Sequence, residues 1–166
     1  LKGSNFHDAH CVAVAQPEHT ALQHLLAALA ATPGWVDASM ALRNRVVALF
    51  GLKHLGGLKP RPQLDAGHAY VPGDRIGIFT LVSQTHDEVL VGDDDKHLCV
   101  VLSVRRLPPQ AGQPARVVLT TVVHVHNLLG HLYMLPVWPA HRFIAPAVLA
   151  RIGVGADAMG MPAPLH

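Results

Sequence analysis

The stretch from Pro72 to His131 constrains this chain more than any other part, because almost all of it reads as strands joined by short turns. Arg75 to Gln84 turns at His86-Asp87 into Glu88 to Gly92, which turns through Asp93-Asp94-Asp95-Lys96 into His97 to Arg106. After Pro108-Pro109-Gln110-Ala111-Gly112 comes Arg116 to His126. Connections this short join only antiparallel neighbours. Side chains alternate sides along a strand, so Leu98, Val100, Leu102 and Val104 share one face, as do Val117, Leu119, Thr121, Val123 and Val125. Those faces are the expected core. The opposite faces carry His97, Cys99, Val101, Ser103 and Arg105, and Val118, Thr120, Val122, His124 and His126. They are more polar, yet too apolar to be simply wet.

A sheet with one apolar face needs a cover, and helices flank this one. Asn5 to Ala15 alternates loosely as a first strand, with Cys11 and Ala13 on one face and Val12 and Val14 on the other. Thr20 and Gln23 form a T-x-x-Q capping box, in which each side chain takes up a backbone donor left free by the first helical turn. Leu22, Leu25, Leu26 and Leu29 follow at i, i+3, i+4 and i+7, one apolar stripe. Thr32-Pro33-Gly34 ends that helix and opens a second, from Trp35 to about Phe50, with Gly51 where a left-handed cap is expected. Residues 51–72 are rich in Gly and Pro and read as a long loop. From Leu132 to Ile152 the chain turns helical again, with Tyr133, Val137, Phe143, Ile144, Ala147 and Val148 apolar and Pro136, Pro139 and Pro146 predicting kinks or breaks. The tail from Gly153 to His166 has no periodicity.

The order predicts an α+β fold, an antiparallel sheet wrapped around a C-terminal helix (helix-grip), with two shorter helices after the first strand. The whole of 1–166 reads as one domain, with its core in 5–152. A cavity between sheet and helix is expected; a sheet-and-helix sandwich without one is the alternative.

Composition narrows the function classes. Half of the 166 residues are hydrophobic and 14% are charged, which excludes a disordered chain. The net charge of +2 is spread out, with Arg43/Arg45 and Arg105/Arg106 the only tight pairs, so nucleic acid is not an expected partner. No apolar run approaches the roughly 20 residues of a membrane span. Cys11 and Cys99 form no CxxC, and without a secretory segment at the start they read as reduced thiols of a cytoplasmic protein.

Histidine is the abundant reactive residue, with 13 in the chain. His124-x-His126 puts two imidazoles on one strand face about 7 Å apart along the backbone. His97, Asp94 and His141 are candidates to complete a metal site, but no HExxH or paired-Cys spacing supports one, and neither metal nor cofactor is expected. Asp93-Asp94-Asp95 lacks the alternating ligands and downstream Glu of a calcium loop and reads as a hairpin turn, with one Asp accepting from Arg75 or His97. His126-Asn127 falls where the last strand meets the helix, a place for polar groups that orient a ligand, with Tyr133 and His141 farther along. Capping and hydrogen-bond satisfaction of that junction explain the same residues. Trp35 and Trp138 are expected in the core or lining the pocket.

Pro72-Gly73-Asp74-Arg75-Ile76-Gly77, Asp94-Asp95-Lys96-His97-Leu98, the Thr120-to-Asn127 strand and Gly130-His131-Leu132-Tyr133 resemble a bacterial family, domain-of-unknown-function family 2867. The likeness covers roughly Asn5 to Arg151. The family also resembles the C-terminal part of some proteins with a dehydrogenase-like nucleotide-binding domain, but this chain has no Gly-x-Gly-x-x-Gly loop of its own. No established activity comes with it; the resemblance implies a relation to START-like folds with a ligand cavity. Two positions depart from the pattern. Cys99 and Val101 stand where the family tends to carry charge, and Pro146 interrupts the last helix.

Three functions follow as competing expectations. The leading one is a non-catalytic binder of a small, largely apolar molecule, held by His126, Asn127, Tyr133, His141, Trp35 and Trp138. The second is a cyclase-, hydratase- or hydrolase-type enzyme with His126 as base and Asp94 or Tyr133 assisting. The third is an interaction module, a homodimer built on the outer sheet face through Cys99, Val101, Val118 and Val122.

Overall fold

The computed structural model describes residues 4–48, 69–110 and 112–153, with the side chains of 42–48 excepted. The expected Gly51 cap, most of the long loop and the tail beyond Gly153 lie outside the described residues. Strand β1 (Phe6–Ala13) leads into helices α1 (Ala21–Ala30) and α2 (Gly34–Ala48). Strands β2 (Arg75–Ile76), β3 (Phe79–Gln84), β4 (Glu88–Asp94), β5 (Leu98–Leu107) and β6 (Arg116–Val125) follow, then helix α3 (Leu128–Leu149) and a 3-10 turn. The six strands form one sheet in the order β1-β6-β5-β4-β3-β2, every neighbouring pair antiparallel. The fold is α+β and consistent with a helix-grip. No described helix is long and apolar enough to cross a membrane.

The period-two pattern sets which side faces in. Val100 pairs with Val123, Leu102 with Thr121 and Val104 with Leu119, so the expected core residues of β5 and β6 lie side by side. Every second residue of β6 from Val117 to Val125 is buried. The capping box forms as well: Thr20 Oγ1 accepts from Gln23 N at 3.2 Å and Gln23 Oε1 accepts from Thr20 N at 2.8 Å. With its start fixed, α1 buries Leu25 and Leu29 against Leu81, Val89, Val91, Leu102 and Val104 in the larger of two apolar clusters. The smaller joins Val123, Val125 and Met134, with Phe6, Leu98, Tyr133, Val137 and Trp138 packed around them.

Three expectations need correction. The single strand from Arg75 to Gln84 is two strands, because Gly77 takes a left-handed φ of 59° that only glycine adopts cheaply and folds the chain back on itself. The acidic run is not all turn. Asp93 and Asp94 end β4, and buried Asp93 accepts from Arg75 Nη1 at 3.2 Å. Asp95 alone makes the turn, its Oδ1 accepting from the backbone N of His97 at 2.7 Å and of Leu98 at 3.0 Å. Third, α3 starts four residues earlier than periodicity suggested and runs unbroken through Pro136, Pro139 and Pro146. Each proline frees the carbonyl four residues back. Those carbonyls belong to Leu132, Leu135 and Arg142, all exposed residues, so the lost helical bonds fall on the side open to water.

Candidate functional site

Alternation along β1 puts Phe6, Asp8, His10 and Val12 on the inner face, opposite Val123, Thr121, Leu119 and Val117 of β6. An acid and an imidazole thus enter an otherwise apolar surface, directly beneath α3. The helix is brought there by its first turn. Asn127 is the N-cap, its Oδ1 accepting from Gly130 N at 3.0 Å, and Gly130 passes close to the strand ends. A Cβ at Gly130 would press on the His97 carbonyl and stand 2.7 Å from Val125 Cγ1, so only glycine lets the helix lie this near the sheet.

One helical face then carries Met134, Val137, Trp138 and His141 toward β1 and β6. Trp138 packs on Phe6 with ring centroids 5.2 Å apart and planes tilted by 43°. One turn on, His141 Nδ1 lies 3.0 Å from Asp8 Oδ2, and His10 Nε2 lies 3.3 Å from the same oxygen. Burial pushes the Asp8 carboxyl up, but the hydrogen bond and charge of His141, reinforced by His10, outweigh it and hold it below its ordinary value. The second oxygen, Asp8 Oδ1, is buried with no partner, and so is the hydroxyl of Thr121, the residue directly across the strand pair. A buried polar atom without a partner costs about 1–3 kcal/mol, and here two fall on neighbouring positions.

This arrangement can do two things chemically. Asp8 is a fixed acceptor, oriented from two elements at once, and Thr121 can donate or accept beside it. Aromatic rings of Phe6, Tyr133 and Trp138 form an apolar neighbourhood beside them. Among the described residues, no group of three or more His, Cys, Asp or Glu is placed to hold a metal ion.

The expected site residues divide between this place and others. His141, Trp138 and Tyr133 belong to it. His126 and Asn127 do not touch it; they tie the helix start to the β4–β5 turn. His126 N donates to the His97 carbonyl at 2.8 Å, its Nδ1 lies 3.0 Å from the Asp95 carbonyl, and Asn127 Nδ2 donates to the Lys96 carbonyl at 2.8 Å. The capping account therefore explains Asn127 fully. Trp35 stands in the first turn of α2 and is 49% exposed, outside both apolar clusters.

On the outer face, register aligns Asp94, Cys99 and His124 across three strands. That row resembles a nucleophile with helpers, but burial and then Asp94 push the Cys99 thiol up, the opposite of what a reactive thiolate needs. Cys11 is likewise a free thiol. His124 and His126 approach each other with ring centroids 5.3 Å apart. Beside the row, Arg75, Thr80, Val82, Gly92, Asp94, Cys99 and Val101 line a shallow cleft of about 370 Å³. Val101, Val118 and Val122 are half-buried by their neighbours on the same face.

Sequence reasoning missed Asp8 and His10. The signal was present in Phe6-x-Asp8-x-His10-x-Val12, two polar residues on the same strand face as Val12 and Val14. Thr121 was placed correctly in the core face, where a lone hydroxyl among valines and leucines was the second hint.

No curated protein and no solved structure matches the chain. A family model matches residues 1–148, nearly all of the described structure, and the chain belongs to that family, described as protein of unknown function (DUF2867).

Proposed function

We propose that this domain binds a small, largely apolar molecule carrying a hydroxyl group, between the inner sheet face and α3, without transforming it. The observation behind the reading is a pair of buried polar atoms lacking partners, Asp8 Oδ1 and Thr121 Oγ1, on residues that face each other across β1 and β6. A hydroxyl satisfies both at once, donating to the carboxylate and accepting from the threonine. The apolar remainder would lie against Phe6, Tyr133 and Trp138, in keeping with START-like folds that hold ligands between sheet and helix. His141 and His10 act as positioning residues, keeping the carboxylate ionised and aimed. An enzyme that uses His126 as base gains less support, since that side chain is exposed and leans on a backbone carbonyl.

The test compares 2-naphthol with naphthalene in a Trp35→Phe background, where Trp138 is the remaining tryptophan. Quenching of Trp138 fluorescence is expected at lower concentrations of 2-naphthol than of naphthalene. The preference should shrink in Thr121→Val, which keeps the side-chain shape and removes the hydroxyl but leaves the bond to Asp8. Equal affinity for the two probes in the parent protein, or binding of neither, overturns the reading. Native mass spectrometry of freshly purified protein would in addition report any retained small molecule.

A further inference from the structure

Helix α3 is apolar on both sides. Its inner side buries Met134, Ala145 and Leu149, while Leu128, Leu132, Leu135 and Phe143 are exposed by 85%, 59%, 70% and 73%. At 100° per residue, Leu128, Leu132, Leu135, Pro139 and Phe143 fall within an arc of about 80°. Their spacing of four, three, four and four approaches the seam of a coiled coil. A helix that is apolar all round is normally buried all round.

We propose that this stripe is the interface of a homodimer, with two copies of α3 packed antiparallel across a two-fold axis near Leu135. This goes beyond the ligand reading and does not depend on it. Three observations favour a second copy as the occupant. The first is self-complementarity. With the axis between Leu135 and Pro136, Leu128 faces Phe143, Leu132 faces Pro139 and the two Leu135 side chains meet, so every large exposed apolar side chain finds an apolar partner. The second is area. Four such side chains with roughly 100–150 Å² bare on each supply over half of the ~800 Å² per partner that a standard interface buries. Exposed His131, Pro136, Pro139, Ala140 and Arg142 around them extend it.

The third is charge. Arg142 is the one Asp, Glu, Lys or Arg residue in the 22 residues of α3. Helices that lie on membranes carry a polar face rich in Lys and Arg, which α3 lacks. In the antiparallel pair the opposing Arg142 stands about one turn from the Leu132 carbonyl that Pro136 leaves free, a donor where the interface needs one. This places the association on the helix instead of the outer sheet face, where Val82 at 54% is the exposed large apolar residue.

Light scattering over a range of concentrations tests the proposal. Wild type is expected to be dimeric, and Leu135→Asp monomeric with an unchanged circular dichroism spectrum, because that side chain supports nothing within its own subunit. Val101→Asp on the outer face should remain dimeric. A monomeric wild type, a dimeric Leu135→Asp, or a Val101→Asp variant that falls apart overturns the helix interface. Oxidative cross-linking fixes the direction, in a Cys11→Ser/Cys99→Ser background. Leu135→Cys should cross-link to itself, whereas two copies of a Leu128→Cys thiol would be about 22 Å apart and should not. Equal cross-linking at both positions overturns the antiparallel arrangement.

Discussion

The two apolar clusters on the inner sheet face differ in kind. Under α1, aliphatic side chains from β3, β4, β5 and β6 close on Leu25 and Leu29, and a large part of them are almost wholly buried: Leu81 at 1%, Val89 and Val91 at 0%. Under α3, Val123, Val125 and Met134 are buried, and around them stand half-exposed aromatic rings and the Asp8–His10–His141 cluster. The first region uses its burial to hold the sheet together. Each leaves buried polar atoms unpaired, His24 Nε2 on α1 and Asp8 Oδ1 and Thr121 Oγ1 under α3, but a row of apolar side chains stands uncovered outside only on the second. A chain under selection for stability alone would repair both, by an apolar residue at Asp8 and charge along the outward face of α3. Local rules are broken most often at sites that carry function, and Asp8, Thr121 and the exposed stripe of α3 sit on one helix and the two strands beneath it.

The difference also decided how much could be read in advance. The α1 side obeys one period at a time: Leu22-Leu25-Leu26-Leu29 for the helix, alternate residues for β5 and β6, and a capping box at the start. Each local signal agrees with the packing it ends in. α3 carries contradictory signals. Three prolines argue against a helix, apolar residues cover every side, and the true start is set by Asn127, whose bond to Gly130 is the cap that the sequence offered at this junction beside a ligand-orienting role. The site was legible in part for the same reason. His141, Tyr133 and Trp138 were found as polar or aromatic residues near the helix. Asp8 became meaningful only once β1 paired with β6, the strand farthest from it in sequence, because that pairing is a long-range event that no local pattern encodes.

The sharpest contrast between the regions is in stability. Leu81→Ala, deep in the closed cluster, is expected to cost about 2–5 kcal/mol, because the truncated side chain leaves a cavity among close-packed neighbours. Asp8→Asn should be milder, since it keeps the side-chain volume and an accepting oxygen for His141 while discharging a partly unpaired buried carboxylate. Urea melts compare the two directly. An equal loss for both variants would erase the distinction between the aliphatic core under α1 and the polar cluster under α3.

Gly130→Ala attacks the seat of α3 on the sheet. The added methyl would meet the His97 carbonyl and Val125 Cγ1, so α3 must lift from the sheet at a cost of about 1–3 kcal/mol. The loss should weaken 2-naphthol binding as well, because Trp138 and His141 travel with the helix. Unchanged melting in this variant would mean that the helix start is not seated against β5 and β6.

Acid should separate the clusters by pH. His24 of α1 is buried, and burial, then the charges of His19 and Arg106, hold it below its ordinary value of 6.5. The unfolded chain therefore takes up that proton first, and stability falls as pH drops from about 6.5 toward the lowered folded value. Asp8 is held below its ordinary 3.8, so its contribution is intact above that value and disappears as pH falls further, through the folded value. Melting temperatures measured across pH 7 to 2 should show two separate declines. His24→Phe should remove the upper one and leave the lower, and a His24→Phe profile identical to wild type would contradict the assignment.

The smallest expected effect bears on Asn127, which two accounts explain differently. As a cap it accepts from Gly130 N and donates to the Lys96 carbonyl, two bonds made at the exposed start of α3. Replacing an N-cap asparagine by alanine costs about 1 kcal/mol, a loss that falls on the helix end and not on the Asp8–His141 contact beneath its middle. Asn127→Ala should accordingly melt slightly early and bind 2-naphthol with unchanged affinity, and Asn127→Asp, which keeps the accepting oxygen, should recover most of the stability. Were Asn127 instead a ligand anchor, the alanine variant would lose affinity out of proportion to its stability, and aspartate, unable to donate, would not restore it. Titrating both variants alongside Thr121→Val separates the alternatives, because Thr121→Val should weaken the hydroxyl preference whichever account of Asn127 holds.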